Sequence, residues 1–294
     1  MYVMARLQVL GRLALFVAIV WALQALVTRL TAGRGDDIAT FLIIREGAFF
    51  GIVVLATWLM ARIEHRPVAD YGLPWRAMFR VQFWQGTLLG FAGGTLLVVL
   101  MHLSGVFALG PMALHGLDIE KWGIAWVLVF ILVGLLEEYQ FRGYALFALS
   151  KGIGFWPAAI LSAAFFGYAH HDNTGEALIG LFNAGAFGLL QCYILRQSGN
   201  LWMPVGVHAA FDWSETYFYG VADSGQKAPG HLFESISPGP AWLSGGTVGP
   251  EGSVLATALI VIMWLACVAW FRRGQSGAAR YYSKPWPNWK DESP

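Results

Sequence analysis

Long apolar runs recur along this chain at 12–30, 39–62, 83–104, 122–141, 175–195, 200–219 and 254–271, with a shorter one at 158–169. A helix needs about 20 predominantly apolar residues to cross about 30 Å of hydrocarbon. The pattern therefore predicts an all-α membrane protein of about eight transmembrane helices. Polar or turn-forming segments separate the runs: Thr31 to Asp37, a basic stretch over 63–82 with a turn at Tyr71-Gly72-Leu73-Pro74-Trp75, a break from Gly152 to Pro157, and a loop rich in Gly, Pro and Ser over 221–252. The first run is flanked by Arg6 and Arg12. Its apolar core is longer than a signal peptide's, and no small-x-small cleavage site follows before Thr31, so it reads as a retained span. No internal repeat is visible. The expected organisation is a single polytopic domain over 1–294, with the chemistry concentrated in about 120–220 and a basic tail over 273–294.

Composition agrees with this picture. The chain is 57% hydrophobic and 13% charged, against about 25% charged residues in soluble domains, which makes it an integral membrane protein. A net charge of +1 argues against nucleic acid as a partner, because phosphate binding needs a strongly basic face. Cys192 and Cys267 each lie inside an apolar run, so no disulfide is expected. With eight spans the Lys and Arg residues divide unevenly: one side collects fourteen, the other only Arg29, Arg34, Lys121 and Lys227. By the positive-inside rule both termini are cytoplasmic. The expected location is a bacterial plasma membrane, with Glu137 near the cytoplasmic end of span four and a water-filled cavity open towards that half.

Ionisable groups inside apolar helices cost at least about 2.5–3.5 kcal/mol each and normally face one another or water. Three segments carry them here: Glu137, Glu138 and Arg142; His170 and His171; His208 and Asp212. On a helix Glu138 and Arg142 share a face in the favourable order and can neutralise each other. Glu137 lies about 100° away with no basic residue three or four positions off, an acid without a local partner. Only one of His170 and His171 can face a given direction, and His171 reads as interfacial. His208 and Asp212 share a face. Arg45 and Glu46, in span two, read as rim residues that snorkel or pair with other helices, the sharper alternative being a second polar site.

The three motifs, Glu137-Glu138-x-x-x-Arg142, Phe166-x-x-x-His170 and His208-x-x-x-Asp212, on successive helices in this order, resemble the CAAX protease and bacteriocin-processing family. Its eukaryotic relative is the Ras-converting endopeptidase, which removes the last three residues of prenylated CAAX proteins. The resemblance implies an intramembrane endopeptidase acting on peptide or membrane-protein substrates. In it Glu137 and His170 activate a water, His208 and the residue at 212 stabilise the oxyanion, and Glu138 with Arg142 supports the site. Asp212 departs from the Asn frequent at that position, and an ionised Asp cannot donate to an oxyanion. Asp212 is therefore expected to be protonated, or to act by orienting and charging His208.

A second reading of Glu137, His170, His208 and Asp212 is a zinc site, since they supply N and O ligands of suitable number; no HExxH is present, and no cofactor is expected. A non-catalytic scaffold or immunity-type protein, using the cavity to bind a partner, is the alternative to the enzyme. A proton-coupled transporter lacks its matched broken-helix repeats here. One depth does not close: at 1.5 Å per residue, with span four ending near Arg142 and the next helix starting at Ala158, Glu137 and His170 differ by roughly 10 Å in a bilayer core of about 30 Å. Tilted helices or a reentrant segment between 143 and 157 would close the gap.

Overall fold

The computed structural model describes residues 2–33 and 37–276; Arg34 and residues 277–294 of the expected basic tail lie outside the described residues. Its long helices follow the apolar runs: α1 (Tyr2–Thr31), α2 (Ile38–Ile63), α3 (Val81–Leu103) and α4 (Leu117–Arg142). After them come α5 (Tyr144–Ile153), α6 (Phe155–Ala169), α7 (Leu178–Ser198), α8 (Trp202–Trp213), α9 (Ala241–Ser244) and α10 (Val254–Ser276). Among the described residues, six segments are long and apolar enough to cross a membrane. The expected fifth and seventh spans are shorter elements, α6 and α8, the latter prolonged by a π-helical turn over Ser214–Tyr219.

Local chemistry sets several of these limits. Asp37 caps α2, its carboxylate accepting from the Ala39 amide at 3.2 Å and the Thr40 hydroxyl at 2.6 Å. Gly199, at φ 81°, ends α7 in the left-handed conformation that glycine adopts without strain. Glycine also sets the tightest packing. A Cβ at Gly86 or Gly90 of α3, or at Gly206 of α8, would collide with a backbone carbonyl of the facing helix, so α3 and α8 lie almost backbone to backbone.

The two ends of the bundle differ. At the end where α2 finishes, Glu64 accepts from the Tyr144 hydroxyl at 2.9 Å and lies 3.5 Å from Arg12 and 3.8 Å from Lys151, tying α1, α2 and α5 together. Tyr71, Tyr139, Tyr144, Phe147, Leu201 and Trp202 are buried beside it in one apolar cluster. Phe271 of α10 packs on Tyr193 of α7, six residues before Gly199, so α10 finishes at this same end. At the other end, the connection after α3 and the long 220–253 connection meet through two isolated antiparallel bridges, Ala108 with Ile236 and Met112 with Phe233. Trp126 donates to the Pro229 carbonyl and Tyr217 to that of Ile119, fastening this loop layer to α4 and α8.

The expected depth gap is removed by α5. The chain does not turn at Arg142: it runs on through α5 and turns at Gly154, where φ is 85°. Ser162 then donates to the Phe141 carbonyl at 2.8 Å, setting the register of α6 against α4. Four and eight residues further along α6, Phe166 and His170 reach the level of the α4 carboxylates. The reentrant reading of 143–157 thus corresponds to a short helix that lowers the start of α6.

Candidate active site

Gly134 opens the site by letting α8 approach α4, where an added Cβ would press on the Val205 carbonyl and Ala209. This brings His208 beside two adjacent acids that its own sequence neighbourhood does not contain. His208 Nδ1 donates to Glu138 Oε1 at 2.7 Å. The same oxygen accepts from Arg142 Nη1 at 3.2 Å and from Gln191 Nε2 at 3.4 Å. Glu138 and Arg142 are fully buried, at 0% exposure each, and the guanidinium carbon lies 4.1 Å from the Phe166 ring centroid. The expected pairing of Glu138 with Arg142 is present, and it does more than neutralise charge, since it fixes the imidazole as well.

Glu137 points the other way. Its side chain is 29% exposed, against 0% for Glu138, which decides which acid faces the open space. It is not without a partner: its Oε2 lies 3.4 Å from His208 Nε2. Asp212 Oδ2 stands 3.6 Å from the same nitrogen, too long for the hydrogen bond expected of a four-residue helical pair. Phe166 and Phe187 flank the His208 ring edge-on, with centroids 6.2 and 5.6 Å away, and limit its rotation.

His170, capping the end of α6, contacts the Phe166 carbonyl through Nδ1 at 2.7 Å. A carbonyl only accepts, so Nδ1 donates, and in the neutral tautomer with that proton Nε2 is the acceptor. His170 lines the same cavity as Glu137, His208 and Asp212. His171 does not: it is exposed, stacks on Tyr168 at 4.5 Å and lies 3.2 Å from Asp172, an outward residue as expected. Arg45 pairs with its neighbour Glu46, its Nε and Nη2 both donating to Glu46 Oε1 at 2.8 and 2.6 Å. Sequence neighbours thus meet after all, because the long Arg side chain curls back along the cavity wall, which both residues line.

The cavity holds about 740 Å³. Two acids from the 220–253 connection enter it that the sequence offered no periodicity to find. Asp223 and Glu251 lie with Asp212 so that one oxygen from each falls within 4.8 Å of the others. Asp223 accepts from the Thr216 hydroxyl at 3.1 Å, and Glu251 from the Ser224 amide at 3.1 Å. Burial pushes the Asp223 carboxyl up to about 6, and burial with the nearby Asp223 charge pushes Glu251 up to about 8.

These distances also test the zinc reading. Among the described residues, Asp212, Asp223 and Glu251 are the one group whose ligand atoms gather, and it is an all-oxygen set of the kind hard cations take. Glu137, His170, His208 and Asp212 do not converge in this way. As arranged they do not fit a zinc ion.

Residues 120–214 match the family model described as Type II CAAX prenyl endopeptidase Rce1-like. Over that stretch the chain is similar to the CAAX protease family. The matched stretch contains Glu137, Glu138, Arg142, His170, His208 and Asp212, and ends before Asp223 and Glu251. No curated protein and no solved structure matches the chain. The matched family model implies intramembrane protease activity in general, on peptide or protein substrates.

Proposed function

We propose that the chain is an endopeptidase that hydrolyses peptide bonds within the membrane with a water activated by Glu137 and His170. The observation that carries this reading is the placement of His208: Glu138 accepts a hydrogen bond from its Nδ1–H at 2.7 Å, which turns Nε2 towards Glu137 and the cavity. In the proposed reaction the Glu137 carboxylate, aided by His170 Nε2, takes a proton from water, and the hydroxide attacks the scissile carbonyl carbon. The oxyanion accepts a hydrogen bond from His208 Nε2–H, an imidazolium flanked by Glu137, Glu138 and Asp212. When the intermediate collapses, the C–N bond breaks and the proton held by Glu137 passes to the leaving amine. Asp212, too far for a hydrogen bond to His208, acts by its charge.

Every group in this scheme belongs to the chain itself, so cleavage in the presence of a chelator is expected to equal cleavage without it. The test is cleavage of a quenched peptide panel by the purified protein. Glu137→Gln and His170→Ala are each expected to lose about 10²–10⁴-fold in rate, the usual contribution of a positioned acid or base, with unchanged thermal midpoints. Equal activity in wild type and both variants would remove the mechanism.

A further inference from the structure

The residues that line the cavity lie towards one end of the bundle. Its deepest lining residues on α4 are Gln140 and Phe141, and Gln24 of α1 closes that depth by donating to Gln140 at 2.8 Å. From there the wall runs past Trp126 and Asn183, near the starts of α4 and α7, and finishes at Gln226 and Lys227 in the 220–253 connection. No described residue of 64–80, 142–165 or 188–207 lines it. The space on that side is filled by the buried cluster around Tyr71, Tyr144 and Trp202.

The closed end is the cation-rich one. Arg62, Arg66, Arg76, Arg80, Lys151 and Arg196 lie there. At the other end there are fewer cations: Arg29 in the last turn of α1, Arg34 just after it in sequence, Lys121 near the start of α4, and Lys227, which is paired with Glu234 at 2.7 Å. The positive-inside rule places the cation-rich loops in the cytoplasm. The cavity then faces the opposite compartment, the reverse of the access expected when Glu137 is placed near the cytoplasmic rim.

We infer that scissile segments reach Glu137 and His208 from the non-cytoplasmic face, which makes the substrates exported peptides or the extracytoplasmic stretches of membrane proteins. The inference rests on the peptidase reading for what is cut, and on cavity shape and charge alone for the side of entry. The test is cysteine accessibility in intact cells, using a membrane-impermeant thiol reagent. Both native cysteines are buried, at 0% and 1% exposure, and give a quiet background. Gln226→Cys at the mouth and Ala184→Cys on the wall are expected to label from outside. Met78→Cys, exposed at the closed end, is expected to lose all labelling unless the cells are permeabilised, with labelling after denaturation confirming that each thiol is present.

Labelling of Met78→Cys from outside, or of Ala184→Cys only after permeabilisation, would overturn the inference even if cleavage were normal. Labelling as expected in a protein that cleaves nothing would sink the peptidase reading and leave the side of entry standing. The two failures are therefore separable.

Discussion

On one side of His208, Glu138 gathers Arg142, Gln191 and the imidazole on a single carboxylate oxygen. On the other, Asp212 meets Asp223 and Glu251, which accept from the Thr216 hydroxyl and from the Ser224 amide and hydroxyl. Both groups are buried, yet they handle charge differently. A carboxylate with its own cation is locked into one geometry and one protonation state. Carboxylates that crowd together without one relieve their repulsion by holding protons, and so remain responsive to pH. The first group is suited to holding a catalytic ring still. The second is suited to tuning the charge around it.

The largest expected effect comes from breaking the locked group. Glu138→Ala leaves Arg142 buried without its counter-ion, which should cost about 3–5 kcal/mol of stability and appear as low protein level and a depressed thermal midpoint in detergent. A paired Glu138→Leu, Arg142→Met variant removes both charges and should recover much of the midpoint while remaining inactive, because His208 has then lost its orienting partner. Recovery of activity along with stability would mean that Glu138 has no part in positioning the ring.

A smaller effect, of distinctive sign, should come from the crowded acids. Asp223 and Glu251 hold their protons to higher pH when folded, about 6 and about 8, than when unfolded, where ordinary carboxyls titrate near 4. Between those limits the folded state binds more protons, so stability falls as pH rises through the window and levels off above it. The thermal midpoint should therefore drop by several degrees from pH 5 to pH 8 with chelator present. Asp223→Asn with Glu251→Gln should flatten the curve and exceed wild type at pH 8; an unchanged slope would place the titrating groups elsewhere.

What could be read from the sequence followed the range of the interactions. Glu138 and Arg142 are joined by helix geometry over four residues, and that pairing was legible, as were the long apolar helices. His208 reaches Glu138 across 70 positions, and only the resemblance of the motifs hinted that they share a site. Asp223 and Glu251 lie in a loop with no period, beyond the stretch that carries the motifs, so nothing marked them. The choice between His170 and His171 depended on the phase of α6, which the Ser162 bond to Phe141 sets. The depth mismatch arose from ending span four at Arg142, when the hydrophobic path continues through α5 to Gly154. The inferred side of access departs from the expected one for the same reason, since the cavity lining runs from Gln140 towards the start of α4 rather than towards Arg142.

The smallest expected effect is the most informative about how the two acid groups divide their work. Asp212 is the member of the crowded group nearest to the chemistry, yet at 3.6 Å it does not hydrogen-bond His208. If it acts only by charge, Asp212→Asn removes one negative charge from the crowded side while offering an amide N–H that can itself face an oxyanion. The loss and the gain oppose each other, and kcat/KM should change by no more than about tenfold, equivalent to about 1.4 kcal/mol. Its thermal midpoint at pH 8 should rise, because repulsion with Asp223 and Glu251 is relieved. A fall in kcat/KM as deep as that expected for Glu137→Gln, with the midpoint still raised, would show that His208 needs the negative charge at 212 to remain a donor. The crowded acids would then belong to the catalytic machinery as fully as Glu138 does.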